Sequence, residues 1–360
     1  MSYILPVLPL DKQLKTIAIL DQLILSRSAL AELKWVSWQI PNETILIKTL
    51  SLQEAKESSA IENIITTHDE LFQSDVMSEM FATIASKEVY NYATALEYGY
   101  REIRKNGLLM NNLILEIQGK IEENKAGFRK LPGTELKNDK TGETVYVPPQ
   151  SYDQIINSMD NLERFINTPG ISDLDPLIKM AIIHHQFESI HPFYDGNWRT
   201  GRVINVLYLV KEWLLSLPIL YLSRYINTHK SKYYELLQKV RTNDTWEEWI
   251  LFMLIAIEKT AKQTINIVEN IKELMKREKK SIREKCPKIY SQDLLNNLFK
   301  HPYTKIEFVM RDLGVVRQTA SKYLDELVKI GILEKHKIGT ENFYIHPELF
   351  DLLKNIPTFE

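Results

Sequence analysis

Between His191 and Arg202 the chain reads His-Pro-Phe-Tyr-Asp-Gly-Asn-Trp-Arg-Thr-Gly-Arg. This short stretch holds a proton acceptor, a carboxylate suited to a divalent cation, a Gly/Asn turn and two guanidinium groups. The turn feeds an apolar helical run, Val203 to Val210. Backbone N–H groups at a turn entering a helix N-terminus make a natural anion seat. Arg199 and Arg202 are three residues apart, so on a helix they share a face and can grip one polyphosphate. Asp195 can hold a divalent cation against the same phosphates. His191 can take a proton from an attacking hydroxyl. The spacing of a P-loop is absent, so this is not a Walker site. The residues read together as a nucleotide phosphate site with a general base beside it.

The segment resembles the signature of the Fic family, HxFx(D/E)GNGRxxR, whose members are mostly adenylyltransferases that move AMP from ATP to a protein hydroxyl. The run from Ile182 to Ile190 is similar to the family helix that carries the signature loop. The resemblance implies that His191 deprotonates the target side chain and that Asp195 binds Mg2+. It implies that Gly196 and Asn197 line the anion hole, that Arg199 and Arg202 hold the terminal phosphates, and that the ATP site extends over Trp198, Thr200 and Gly201. Tyr234 is placed by it near the adenine or ribose. One position departs: Trp198 stands where the family has Gly. Glycine is used where φ is positive or backbone approaches a ligand closely. A Trp fits there only at negative φ, as in a first helical turn, and that is the outcome expected here.

A second constellation is Ser58-Ser59-Ala60-Ile61-Glu62-Asn63. Ser58 and Glu62 are four apart and face one side of a helix. They resemble the family's inhibitory motif, (S/T)xxxE(G/N), in a helix expected at about 52–64. A Glu62 carboxylate paired with Arg202 would occupy the group meant for the γ-phosphate. A misplaced α-phosphate then costs orders of magnitude in rate. The resemblance also implies that such a glutamate can, in some members, orient water to remove AMP.

From Leu131 to Pro149 lies a stretch of β character. Asp139-Lys140-Thr141-Gly142 supplies turn residues, and Thr144, Val145, Tyr146 and Val147 are β-branched or aromatic. It reads as a hairpin, and the resemblance implies a flap that pairs with an extended target segment by strand addition.

The elements that must position these groups are helical. Glycine is sparse, and apolar residues recur at three- and four-residue steps over Leu14 to Leu33, Glu88 to Ile103, Leu113 to Ile121, Ile155 to Ile166, Leu177 to Phe187, Val203 to Leu214, Tyr233 to Val240 and Trp246 to Met275. The expected class is mainly α: a Fic-type helical bundle with a small β-hairpin flap and a C-terminal winged helix-turn-helix module. The expected domains are 1–84, an N-terminal helical region with the inhibitory helix; 85–271, the catalytic core; 272–285, a charged helical linker; and 286–360, the winged helix. In that last unit Ile306 to Leu313 and Arg317 to Lys329 read as helices around a Gly314-Val315-Val316 turn. Lys335 to Thr340 and Phe343 to Ile345 read as a two-stranded wing.

With 45 basic and 47 acidic residues the net charge is −2, which argues for neither nucleic acid nor membrane as a general partner. Residues 286–360 are likewise balanced, so DNA through residues 317–345 is not favoured, although Arg317, Gln318, Thr319 and Lys322 suit base-edge or phosphate contacts. The single cysteine, Cys286, forms no internal disulfide, and no leader-like or spanning segment is evident, which fits a cytoplasmic protein. A metallohydrolase built on His184, His185 and His191 is disfavoured, because adjacent helical residues point about 100° apart. The sequence thus reads as an autoinhibited protein adenylyltransferase using ATP and Mg2+ on a protein substrate, with self-modification and a homodimer in view. The alternative is a non-enzymatic winged-helix regulator of DNA or a partner, its nucleotide site disabled by Trp198.

Overall fold

The computed structural model describes residues 3–76, 83–138, 141–338 and 341–359. Helices α1 (Ile17–Ser37), α2 (Glu43–Ile61), α3 (His68–Val76), α4 (Ile84–Asn106) and α5 (Asn111–Ile121) come first. A hairpin of β1 (Leu136–Lys137) and β2 (Thr144–Tyr146) follows. Then come α6 (Tyr152–Asn167), α7 (Pro176–Ile190), α8 (Asn197–Lys211), α9 (Leu222–Thr228), α10 (Lys230–Asn243) and α11 (Trp246–Lys285). The C-terminal part contains α12 (Gln292–Lys300), β3 (Tyr303–Thr304), α13 (Ile306–Leu313), α14 (Arg317–Lys329), β4 (Glu334–Ile338), β5 (Glu341–Ile345) and α15 (Pro347–Lys354).

Helix α7 is the centre of the bundle. Every side chain from Leu177 to Ile190 is buried, including His184, His185 and Glu188. A helix with no solvated face has to be wrapped on all sides. Helix α8 folds back on it, buried from Val203 to Val210, and α4, α5, α6 and α11 complete the wrapping. Pro176 opens α7 at a position where no helical N–H is lost, with the Asp175 carboxylate accepting from the Leu177 N–H at 2.8 Å. The loop 191–196 joins these two buried helices, so the core holds it at both ends.

Helix α11 is the long spine, 40 residues, and α1 lies along it. Ser26 donates to the Leu254 carbonyl at 2.8 Å and Gln22 to Glu258 at 2.7 Å. The charged stretch 272–285 is the last part of α11, and it buries Leu274, Met275, Glu278 and Ile282. No helix among the described residues is long and apolar enough to cross a membrane.

The flap region is a two-stranded antiparallel hairpin, Leu136 opposite Tyr146 and Lys137 opposite Thr144. Asp139 and Lys140, expected at its turn, lie outside the described residues, but the Gly142 N–H donates to Asn138 O at 2.8 Å with Gly142 at φ +70°. At the C-terminus the sheet order is β3-β5-β4, all antiparallel, with β4 against α14 and β3 against α3. Helices α13 and α14 thus flank the Gly314 turn ahead of the β4–β5 pair, and Gly339 and Thr340, between those strands in sequence, also lie outside the described residues. Helix α2 starts at Glu43, earlier than 52, because Asn42 caps it by accepting from the Thr44 N–H.

Candidate active site

Helix α7 ends where His191 takes the left-handed conformation at φ 48°, its N–H donating to Phe187 O. The following loop is fixed atom by atom. Asn197 folds back: its Oδ1 accepts from the Phe193 N–H at 2.8 Å, and its Nδ2 donates to Phe193 O at 2.9 Å. Asp195 Oδ1 accepts from the Gly196 N–H at 2.7 Å. Gly196, at φ +75°, is the N-cap of α8, and no side chain caps that helix. Its first-turn N–H donors therefore face the loop without a side-chain acceptor, as an anion seat requires.

A clamp holds the loop from the other side. Arg129 is fully buried; its Nε donates to His191 O at 2.8 Å, its Nη2 to Pro149 O, and its own N–H to Pro192 O. The guanidinium thus ties the loop to both ends of the hairpin segment. Tyr194 Oη accepts from the Lys130 and Leu131 N–H groups.

The His191 ring is 6% exposed. Burial, then the charges of Arg129 and Arg241, lower its pKa to about 3. The imidazole is therefore neutral near pH 7, the form a general base must have.

Arg199 and Arg202 lie on one face of α8, as their spacing demands. Arg202, 1% exposed, donates from Nε to Ser58 Oγ at 2.6 Å, and from Nη2 to Ser58 O at 2.9 Å and to Glu62 Oε1 at 2.6 Å. Its Nη1 makes no hydrogen bond among the described residues. Burial disfavours the Arg202 charge, yet the adjoining Glu62 carboxylate holds its pKa above the ordinary value. Arg199 meets three carboxylates: Glu88 at 2.8 Å, Glu122 at 2.8 Å and Glu62 at 3.3 Å.

Glu122 also covers the Gly196 turn. A Cβ at position 196 would fall 2.3 Å from Glu122 Oε1 and push that side chain aside, while the φ of +75° itself favours glycine. Burial lifts the Glu122 pKa to about 7; Arg199 opposes this, and Asp195, Glu62 and Glu88 add to it.

Trp198 sits in the first turn of α8 and is absent from the residues with positive φ. Its ring meets Tyr234 edge-on, centroids 5.2 Å apart at 90°, with Tyr233 and His191 each at 6.2 Å. The indole is thus packed on α10.

The structure brings His191, Asp195, Gly196, Asn197, Arg199 and Arg202 onto one loop and helix start. It sets Ser58 and Glu62 against the two arginines, and joins Tyr234 through Trp198. Asn63 touches neither arginine by hydrogen bond; at φ 64° it ends α2 and fixes Glu62 as the C-cap. Thr200 is buried, and Gly201 lies against α7, where an added Cβ would be 2.2 Å from Glu188 Oε1. In the hairpin Tyr146 is buried, donating to Ser189 O at 2.8 Å, while Thr144, Val145 and Val147 are exposed. Sequence reasoning missed Glu88, Glu122 and the clamping role of Arg129. Arg129 stood next to the expected flap, a visible signal. The two glutamates carried none, since nothing local marks them.

Comparisons with known proteins bear on three consecutive regions. Residues 20–101 match the Fic/DOC family N-terminal region, 108–209 match the Fic/DOC family, and 274–349 match the C-terminal domain described as protein adenylyltransferase SoFic-like. The chain is 28% identical over 130 residues to "Protein adenylyltransferase Fic" from Drosophila erecta, covering 36% of this chain and 25% of that protein. The same figures hold for the Drosophila melanogaster protein. The chain thus spans about a quarter of the length of the curated relatives it matches. Among solved structures, a Fic family protein from Desulfovibrio desulfuricans superposes with TM-score 0.59 at 19% identity, covering 92% of this chain and 96% of that one. A fragment of Fic-1 from C. elegans gives TM-score 0.52 at 16% identity, covering 70% and 73%.

Proposed function

The chain belongs to the Fic/DOC family, and from that membership we propose that it transfers AMP from ATP to a Ser, Thr or Tyr hydroxyl of a protein and is held in check by Glu62. The observation that carries this is the occupied arginine pair. A buried, neutral His191 stands by an uncapped helix start, while the two guanidinium groups suited to phosphate are already engaged by Glu62.

In the reaction the target oxygen bonds to the α-phosphorus and the bond from that phosphorus to the pyrophosphate oxygen breaks. The hydroxyl proton passes to His191, and pyrophosphate leaves. The α8 N-terminus and the Gly196 turn hold phosphate oxygens, and Arg199 and Arg202 neutralise the leaving charge. Glu62 must let go of Arg202, and Glu122 must turn off the Gly196 turn, for a triphosphate to seat in line.

A magnesium ion fits one residue here. Asp195 is exposed at the loop mouth, and the described residues contain no cluster of three or more ligating side chains. Mg2+ is commonly held by one or two carboxylates together with substrate phosphates, so Asp195 would contribute the protein's oxygen. The ion supplies charge neutralisation on the phosphates. Tyr234, behind Trp198, belongs to the nucleoside end. The exposed edge with Val145 and Val147 offers main chain to an extended target segment once Gln238 Nε2 releases the Val145 carbonyl it holds at 3.1 Å, and self-modification uses the same route.

The reading that Trp198 disables the site is disfavoured by its packing against Tyr234 and Tyr233 in a helical first turn. The decisive experiment incubates parent, Glu62→Gly and Glu62→Gly/His191→Ala proteins with α-labelled ATP and magnesium. Label should appear on protein in Glu62→Gly, roughly tenfold or more above parent, since a removed charged partner shifts energies by ~1–3 kcal/mol. It should vanish in the double variant. No label in Glu62→Gly would sink the proposal.

A further inference from the structure

Three of the six tryptophans lie in the open: Trp35, Trp38 and Trp213 are 63%, 66% and 70% exposed. They adjoin one another. Lys34 Nζ donates to Trp213 O at 2.6 Å and lies 5.9 Å over the Trp38 ring, and Trp38 Nε1 donates to Ser216 Oγ at 3.0 Å. None of them takes part in the proposed chemistry. The patch continues down α1 through Ile24, 68% exposed, Leu20, 40%, and Ile17, 80%. The opposite face of α1, with Ile19, Leu30 and Leu33, is buried.

These positions form a seam. At about 100° per residue, Ile17, Leu20, Ile24, Ala31, Trp35 and Trp38 all fall within about 30° of one line along the helix. Ala31 is exposed like the rest. A surface helix normally turns polar residues outward, so an apolar line roughly 30 Å long on the outer face, interrupted at its middle by the exposed Arg27 and Ser28, calls for a cover.

The order along the seam says what the cover is. Reversed end for end about a point between Arg27 and Ser28, the seam sets Trp38 opposite Ile17, Trp35 opposite Leu20 and Ala31 opposite Ile24. Each indole meets an aliphatic side chain, and the smallest residue meets a branched one. A two-fold interface requires that residue i touch j and j touch i, and this line satisfies that with itself. Next to the axis, Arg27 is already neutralised by Asp175 of its own chain at 2.6 Å, so two copies bring no unpaired charge together. Area agrees: three indoles, each contributing on the order of 150 Å² of open surface, together with the aliphatic line approach the ~800 Å² per partner of a standard interface. We infer that α1 packs antiparallel against α1 of a second copy of this chain, with Trp213 widening the contact at each end.

The test uses the full chain. Sedimentation or light scattering should give a dimer at about 100 μM, a range in which standard-sized interfaces associate. Ile24→Glu, an exposed substitution that leaves the melting temperature unchanged, should give a monomer, and Ala31→Arg should do the same. A Cys286→Ser protein carrying Ile24→Cys and Ala31→Cys together should form interchain disulfides, whereas Ile17→Cys alone should not, its two copies lying roughly 30 Å apart. A monomeric parent overturns the inference. So does a dimer that survives both Ile24→Glu and Ala31→Arg, which would place the interface elsewhere. Efficient cross-linking of Ile17→Cys alone would overturn the antiparallel register.

Discussion

Arg199 and Arg202 bring two positive charges to the loop, and Glu62, Glu88 and Glu122 bring three carboxylates to them. Charges taken out of water have to be paired, and a site shaped for phosphate pairs its arginines internally until phosphate arrives. Glu62 and Glu122 differ in what they block. Glu62 holds the side chains, whereas Glu122 lies over the backbone turn itself. Glu122→Gln keeps the volume and removes the charge over that turn. ATP should bind the variant several-fold more tightly, on the scale of one charge-assisted contact, ~1 kcal/mol. Calorimetric titration of ATP into both proteins at one pH reads this directly, and equal affinities would remove Glu122 from the inhibited state. At Trp198 the expectation is the reverse. Replacing it with Gly deletes an edge-on contact with Tyr234 and adds a flexible residue to a helix. The variant should melt lower, by ~1–2 kcal/mol, with ATP affinity changed less than tenfold. A gain of tenfold or more would mean that the indole obstructs the phosphates.

Helix α2 places Glu62 by where it stops. Asn63 at φ 64° breaks the helix, so Glu62 is its C-cap and reaches both arginines. Only Gly, Asn or Asp visits that conformation cheaply, which gives a physical reason for the Asn at the end of the motif. Asn63→Gly should leave inhibition intact. Asn63→Val, strained by ~1–2 kcal/mol, should loosen the end of α2, speed hydrogen exchange at 60–64 and raise self-labelling. Equal exchange in the two variants would count against this. The elements legible in the sequence are those with strong punctuation. Helix α14 runs from Arg317 to Lys329 as read, between the Gly314 turn and Gly331, and Ser58 and Glu62 share one face as their spacing implied, both contacting Arg202, the pairing that the resemblance suggested. Helices α3, α9, α12 and α15 were not read, being short and without punctuation like the Gly314 turn that marked the equally short α13. Glu88 and Glu122 come from different segments and meet Arg199 only in three dimensions, so no local pattern could have marked them. The start of α2 was missed because the cap at Asn42 precedes a stretch of mixed polarity.

At the scale of the whole molecule, the segment that carries Glu62 is held by the C-terminal part as well as by the core. Helix α12 packs on α2, Tyr303 of β3 donates to Asp69 and stacks on Phe72 of α3, and Arg224 joins Glu57, next to Ser58, to the carbonyls of Ile356 and Pro357. The price of so much enclosure is a set of buried ionisable groups, and these fix the pH dependence of stability. Burial raises Glu54 and Glu188 to about 8 and Glu122 to about 7 from 4.5, while His184 and His191 are lowered to about 3 and His68 to about 4 from 6.5, and His185 also falls. A glutamate whose folded pKa is raised binds its proton more tightly in the native state, so its contribution is lost as pH climbs from about 4.5 through 8. A histidine whose folded pKa is lowered does the opposite, and its contribution is lost as pH falls from about 6.5 through 3. Between pH 4.5 and 6.5 the two sets oppose each other, with the histidines more numerous. Above pH 6.5 only the glutamates act. The melting temperature should therefore peak near pH 6.5 and decline toward pH 8 as well as toward acid. Glu188→Gln keeps the shape of a carboxyl whose oxygens make no hydrogen bond among the described residues. That variant should show a shallower decline from pH 6.5 to 8 than the parent, and a steeper fall from pH 6.5 toward 4.5, where Glu188 no longer opposes the histidines. Parallel melting curves across that alkaline range would mean that Glu188 is ionised in the native state and that the burial around α7 admits a charge.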